Sequence, residues 1–390
     1  MSRYHSYINS AAIIIDQYKG QEPLAVFLKQ FFAANKKYGS KDRKQIGSLC
    51  YHFYRVAHAL EIAGISEQLL AATLLCEQAF SSVLAELRPA WNEHISGNIV
   101  DKTAMLDGHF DAAKIFPFIS HLSAGMDGVA FVVSFLEQPH FFLRARPGFE
   151  KVVPAKLKAL GISFEQMNEY CLSLANGTKL DEEIAIDKEV VVQDYNSQQV
   201  GIVIKPYLSA TGNAVTLWDC CAASGGKSIM LFDMNRNIKF TVSDIRSSIL
   251  HNLSNRFQKA GLQHYQSFVA DLAINGAQLS ASQKFNIIVA DVPCTGSGTW
   301  ARTPEQLYFF RKELIAVYTL RQQQIVDHVI PHIANGGLLF YITCSVFKEE
   351  NEEMIFYIKK KHGLELAEMK LLPGYELHAD TMFVAVLKKL

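Results

Sequence analysis

The chain has 390 residues, 49% of them hydrophobic and 19% charged, with 38 basic residues against 38 acidic ones. That is too apolar for a disordered chain, no apolar run approaches the roughly 18 residues of a membrane span, and the balanced charge leaves any polyanionic partner to be steered locally. Seven cysteines without CxxC pairs or a disulfide-framework spacing point to a reducing, cytoplasmic compartment and to no metal, and the length predicts two or three domains.

The short apolar stretch from Ala11 to Ile15 is bracketed by Asn9, Ser10 and Asp16 and reads as helix, not signal peptide. Leu24, Phe27, Leu28, Phe31 and Phe32 form one helical stripe, and Ile46, Leu49, Phe53, Ala57 and Leu60 another, so residues 1–135 are expected to be a helical domain. Along these helices lie Lys29, Lys36, Lys37, Lys41, Arg43, Lys44 and Arg55, opposed by Asp42 alone. The stripe suits a phosphate backbone and equally suits a solvated face. From Pro139 the pattern breaks into short mixed segments with a second basic pair, Arg144 and Arg146, which predicts a small α/β connector over 136–200. Over 201–390, apolar runs at 215–218, 240–242, 267–270, 285–290 and 338–342 alternate with helical patterns, the signature of a parallel sheet in an α/β domain.

The first of these strands runs into Asp219-Cys220-Cys221-Ala222-Ala223-Ser224-Gly225-Gly226-Lys227-Ser228 and then an apolar helix. Two adjacent glycines let backbone approach a ligand, and the helix start offers unpaired N–H groups to a carboxylate such as that of S-adenosylmethionine. A P-loop would need a glycine five positions before Gly226, where Cys221 stands, so the spacing excludes it. Asp244, at the end of the next strand, is placed to accept ribose hydroxyls, and Asp271, one strand further, to meet an adenine amino group. Taken alone, each is as readily a turn or cap residue.

Two further strands deliver cysteines to the same edge, in Asp291-Val292-Pro293-Cys294-Thr295-Gly296-Ser297-Gly298-Thr299 and Thr343-Cys344-Ser345. A thiolate that adds to carbon 6 of cytosine makes carbon 5 enamine-like and able to attack a sulfonium methyl, a reaction assisted by an acid near ring nitrogen 3. Asp291 is placed to supply it. Cys50, Cys76, Cys171 and Cys220 read as small buried hydrophobes.

Taken together, these motifs resemble the RsmB-like, Nop/Sun group of RNA cytosine-5 methyltransferases, in the order Cys-Ala-Ala-Ser-Gly-Gly-Lys, Asp-Val-Pro-Cys-Thr-Gly-Ser-Gly-Thr and Thr-Cys-Ser followed by Glu349-Glu350-Asn351-Glu352. Gln193 to Gln198 is similar to the segment that leads into that family's catalytic domain. The resemblance covers about Pro139 to the C-terminus, and the helical first third is similar to a NusB-like RNA-binding domain. It implies a class I Rossmann-like fold with S-adenosylmethionine as cofactor, held by Cys221, Ala222, Ala223, Ser224, Gly225, Gly226 and Lys227 together with Asp244, Asp271 and Asp291. Cys344 would be the nucleophile, Cys294 the cysteine that helps break the adduct, and Asp291 the contact to the base. It implies an RNA partner, ribosomal RNA of the small subunit first and transfer RNA second, met by Lys36, Lys37, Arg43, Lys44, Arg144 and Arg146. A monomer is expected. Three departures stand out: Ser224 in place of the usual proline, Ala379 to Phe383 in place of a glycine-containing turn, and the neutral net charge.

A DNA cytosine methyltransferase would use Cys294 as nucleophile, but Cys344 and the lack of a large target-recognition insertion oppose it. A non-catalytic RNA-binding assembly factor would have no need of both cysteines and the aspartate.

Overall fold

The computed structural model describes residues 2–180, 182–209, 215–274 and 279–390. The chain forms two compact units rather than three domains in series. One comprises Met1–Ser120, Asp127–Gln138 and Trp300–Lys312, the other His121–Met126, Pro139–Thr299 and Glu313–Leu390.

The first unit is helical and begins with α1 (Arg3–Gln17), α2 (Leu24–Ala34), α3 (Ser40–Val56) and α4 (Ile65–Cys76). The expected stripes face its core: Leu24, Leu28 and Phe32 on α2, and Ile46, Leu49 and Phe53 on α3, are buried. Asp42 closes the start of α3 by accepting the Gly39 N–H at 2.8 Å and the Tyr7 hydroxyl at 2.5 Å. Arg55 does not belong to the exposed basic stripe. It is 2% exposed and donates to the carbonyls of Phe135 at 2.7 Å and Glu137 at 3.1 Å. The segment from Trp300 to Lys312 is built into this unit by its side chains: Trp300 is fully buried against Phe310 and Phe116, Glu305 accepts the Leu24 N–H at 3.1 Å, and Tyr308 stacks on His58.

The second unit holds two sheets. β1 (Phe141–Ala145), β2 (Glu165–Gln166), β3 (Cys171–Leu174) and β4 (Val190–Val192) form an antiparallel sheet of order β2-β3-β1-β4, the expected connector. β5 (Thr216–Asp219), β6 (Lys239–Asp244), β7 (Tyr265–Val269), β8 (Phe285–Asp291), β9 (Ile333–Thr343), β10 (Glu365–Leu372) and β11 (Met382–Lys388) form the second, in the order β10-β11-β9-β8-β5-β6-β7. Strands β7, β6, β5, β8 and β9 are parallel, and the β10–β11 hairpin adds an antiparallel edge. This is the Rossmann-like α/β arrangement. Its order reverses between β5 and β8, the switch point whose carboxyl side binds ligands in open α/β sheets.

Both faces of this sheet are packed, one around Leu217, Val242 and Phe340 and the other around Trp218, Ile288 and Leu339. The helices that matter for the site are α5 (Tyr195–Ser209), α6 (Gly226–Met234), α7 (Ser247–Ala260), α8 (Glu313–Val329) and α9 (Glu352–His362). α6 is fastened to its strand by Ser228, whose hydroxyl donates to Asp219 at 2.6 Å. Burial outweighs that bond and pushes the Asp219 carboxyl up to about 7.

Arg144 and Arg146 are corrected by the structure. Both are buried, and they clamp Asp233 at the end of α6 at 2.8 and 2.7 Å. Arg144 also donates to Gln193 at 2.8 Å and Arg146 to the Ala260 carbonyl at 2.8 Å. Their guanidiniums join the connector sheet to the catalytic sheet and are not a phosphate-binding surface.

Two stability predictions follow from these buried groups. Asp233→Ala leaves two buried guanidiniums without their carboxylate and should cost about 3–5 kcal/mol; an unchanged urea midpoint would show that the pair is solvated. Asp219 keeps its proton in the native chain up to about pH 7, whereas the unfolded chain releases it near pH 4. The contribution of Asp219 to stability is therefore full below pH 4 and falls as pH rises from about 4 to about 7, by on the order of 1 kcal/mol per pH unit. Asp219→Asn removes that slope, so between pH 5 and pH 8 its urea midpoint should fall less than that of the native chain.

Candidate active site

The carboxyl ends of β5, β6, β8 and β9 bring four polar turns together. The β5 turn, Cys220 to Gly225, bends sharply, with Ala223 at φ 45° and Gly225 at φ 81°. A Cβ on Gly225 would lie 2.5 Å from Phe257, so this position needs glycine twice over, for its left-handed backbone and for its contact with α7. At Gly226 the same construction meets open space, which leaves the first turn of α6 approachable. Ser224 does not loosen the loop. Its hydroxyl and its carbonyl each accept Arg256 Nη1 at 2.9 Å, which supplies the tether that a rigid proline would otherwise provide.

At the end of β6, Asp244 accepts the Ala223 N–H at 3.1 Å and the Arg246 N–H at 2.9 Å, and it is 7% exposed. Asp271, beyond β7, accepts the Ala273 N–H at 3.0 Å. Both aspartates therefore serve as turn residues, and both also line a cavity of about 350 Å³, with Cys221, Pro293, Cys294 and Tyr318 on its other walls. The volume falls in the range of small-molecule and cofactor sites. A ligand rich in hydroxyl and amino groups would find the remaining carboxylate lone pairs there.

From the ends of β8 and β9 come the two cysteines and Asp291. The sulfurs of Cys294 and Cys344 stand 3.4 Å apart, although the residues are 50 positions apart in the chain. The Cys294 thiol is pushed well above the ordinary cysteine range, first by its contact with the Cys344 sulfur, then by burial and by the charges of Cys344 and Glu350. Asp291 ends β8 and accepts Lys227 Nζ at 2.6 Å. Burial disfavours the Lys227 ammonium, but the Asp291 carboxylate outweighs it and raises the lysine above its usual range. Lys227 thus links the β5 loop to the turn that carries Cys294. Gly298 lets the two cysteine turns close on each other: its N–H donates to the Cys344 carbonyl at 2.9 Å, and a Cβ there would lie 2.2 Å from the Thr381 carbonyl.

Several residues went unseen in the sequence. Tyr318 and Arg321 reach the cavity from α8, and Gln322 on the same helix donates to the Pro293 carbonyl at 3.1 Å. The signal for them was weak, since a polar residue on an amphipathic helix reads as solvent-facing. Glu350 and Asn351 stood in the quoted motif without a role. Asn351 accepts the Thr343 hydroxyl at 2.6 Å and donates to the Ser345 carbonyl at 2.9 Å, bracketing Cys344. Lys36, Lys37, Arg43 and Lys44 lie exposed on the helical unit.

Comparison with known proteins agrees with this geometry. Residues 207–387 match the family described as 16S rRNA methyltransferase RsmB/F. The chain is 29% identical over 178 residues to "Ribosomal RNA small subunit methyltransferase B" of Erwinia tasmaniensis, covering 45% of this chain and 39% of that protein. It is 30% identical over 166 residues to the protein of the same name from Citrobacter koseri, covering 43% and 37%. The match thus spans well under half of these relatives' length. Among solved structures, PH0851 superposes with a TM-score of 0.71 at 17% identity, covering 100% of this chain and 99% of that one. NSun6 from Pyrococcus horikoshii, solved with SFG, gives 0.54 at 14% identity, covering 67% and 93%. At such identities the structures speak for the fold alone, while the sequence match to the RsmB/F family of 16S rRNA methyltransferases covers the region from 207 to 387, which carries the cavity and both cysteines.

Proposed function

We propose that this chain acts in the cytoplasm as an S-adenosylmethionine-dependent methyltransferase for carbon 5 of a cytosine in RNA, with 16S ribosomal RNA of the small subunit as its substrate. The observation that carries the reading is the pair of thiols 3.4 Å apart at the ligand edge of the sheet, beside Asp291 and a cavity lined by Asp244 and Asp271.

The residues fit S-adenosylmethionine. The open backbone at Gly226 and the start of α6 suit its carboxylate, Asp244 the ribose hydroxyls and Asp271 the adenine amino group. When bound, the cofactor supplies an electrophilic methyl group on a sulfonium. The remaining work falls to the side chains. Cys344 forms a bond to carbon 6 of the cytosine, which moves electron density to carbon 5, the atom that is then methylated. Asp291, held by Lys227, orients the base. Loss of the carbon 5 proton lets the sulfur–carbon bond break and restores the aromatic ring, a step in which Cys294, touching the departing sulfur, takes part. The target base must be unstacked to meet both groups. Lys36, Lys37, Arg43 and Lys44, exposed and opposed only by the engaged Asp42, are the surface for RNA phosphates.

Bisulfite sequencing of ribosomal RNA from cells with and without this gene tests the substrate. A single cytosine that loses its protection names the site, and unchanged methylation at every position would overturn the assignment. Cys344→Ala should abolish transfer, whereas Cys294→Ala should trap protein on RNA as a band that survives a denaturing gel. Full activity in Cys344→Ala would refute the mechanism. Asp244→Ala removes charge-assisted hydrogen bonds worth about 1.5–3 kcal/mol and should weaken cofactor binding by calorimetry about ten- to a hundredfold.

A further inference from the structure

Behind the two sulfurs lies a carboxylate that the proposed chemistry does not use. Glu350, in the turn between β9 and α9, is fully buried. One of its oxygens accepts the Thr295 N–H at 2.9 Å and Gln322 Nε2 at 2.9 Å. The other accepts the Thr295 hydroxyl at 2.6 Å and the Ser345 hydroxyl. Thr295 follows Cys294 and Ser345 follows Cys344, so one side chain grips both cysteine turns. Gln322 is held in turn by the Tyr341 hydroxyl, which also donates to the Glu350 carbonyl at 2.8 Å.

Four donors occupy the four lone-pair positions that an ionised carboxylate offers. Among the described residues no lysine or arginine pairs with Glu350. Burial without a cation raises its carboxyl above the usual carboxylate range, and these hydrogen bonds offset only part of that rise. An unpaired charge in the interior is costly. A merely structural staple between two turns needs no charge.

Building on the function proposed above, we propose that Glu350 is a positioning residue: its buried carboxylate locks the Cys294 turn against the Cys344 turn, and its charge keeps the proton of the sulfur pair on Cys294, so that Cys344 is the sulfur free to attack. Lys227 beside Cys344 agrees with that polarity, and Arg321, which lines the same cavity as Cys294, opposes it. Cys294 faces Cys344 at the end of β9, Glu350 beyond it, Tyr341 within β9, and Tyr318 and Arg321 from α8. The Lys227 ammonium, paired with Asp291, lies where it interacts with Cys344. Negative charge behind Cys294 and positive charge beside Cys344 polarise the pair in one direction.

The first arm of the test needs neither RNA nor cofactor. The full chain is alkylated with iodoacetamide over a pH series and each cysteine is followed by peptide mass spectrometry, the midpoint of each pH profile separating protonation from access. In the native protein Cys344 should have the lower midpoint. In Glu350→Gln, which keeps the shape and removes the charge, the Cys294 midpoint should fall by about one pH unit, roughly a tenfold faster reaction below it. Glu350→Asp keeps the charge and shortens the staple. It should preserve the order of the two sulfurs yet lower kcat for methyl transfer with KM for RNA unchanged. A native Cys294 midpoint at or below that of Cys344 overturns the proposal without any variant, and so does a folded Glu350→Gln protein with unmoved midpoints. Unchanged kcat in Glu350→Asp overturns the staple. If the thiol order is as expected but the native protein transfers no methyl group to RNA, the proposed function fails instead.

Discussion

With both faces of the seven-stranded sheet covered by helices and apolar side chains, the second unit can present chemistry only where its parallel strands end. Leu217 and Trp218 illustrate the constraint: adjacent residues of β5 point into opposite cores, and the next residue, Asp219, is already the start of the site. Parallel strands share one direction, so every strand end on that side adds its turn to the same edge. Four such turns supply the loop at Gly225, the carboxylate of Asp244, the pair Asp291 and Cys294, and Cys344. The convergence of two cysteines separated by 50 residues is a consequence of topology before it is one of side-chain contact.

Polar groups that leave this edge for the interior obey a second constraint, that each must be met by partners. Asp219 takes the Ser228 hydroxyl on one oxygen, Asp233 takes two buried guanidiniums and the exposed one of Arg236, and Glu350 takes four donors. The three solutions differ in charge. Asp219 is driven toward its neutral form by burial, Asp233 is neutralised by cations, and Glu350 is met by hydrogen bonds alone. The choice tracks distance from the sulfurs, since Glu350 alone of the three contacts both residues that follow the cysteines.

Much of the edge was legible in the sequence because it is local. The strands β5, β6, β7, β8 and β9 lie on the apolar runs that marked them, and the glycine loop, both cysteine turns and the aspartates follow their strands within a residue or two. What escaped was long-range. Arg144 and Arg146 form a basic pair in the sequence, and nothing local announces Asp233 more than 80 positions later. Arg55 fits the basic stripe by spacing, yet its helix turns it toward carbonyls at 135 and 137. Ser224 departs from the usual proline, while Arg256, which ties it down, sits in α7. The hairpin β10–β11 was not among the strand candidates. Its edge strand alternates exposed Glu365 and Lys370 with half-buried neighbours and so lacks the continuous apolar run of the central strands.

The largest surprise is the division of the chain, and it bears on the site. The turn that carries Cys294 ends at Thr299, and the next residue, Trp300, is a core residue of the helical unit, packed on Phe116 and Phe310. In the other direction, His121–Met126 leaves the helical third and joins the catalytic unit, where Ser123 donates to the Val346 carbonyl at 2.8 Å and receives Asn351 at 2.9 Å, just past Cys344. The chain therefore passes from one unit to the other just after the Cys294 turn, and the Cys344 turn is braced by a segment that the linear order of domains would assign elsewhere. Removing the first 138 residues would strip Trp300 of Phe116 and Asn351 of Ser123 in one step, exposing an indole and leaving the Asn351 amide with Thr343 and Ser345 alone.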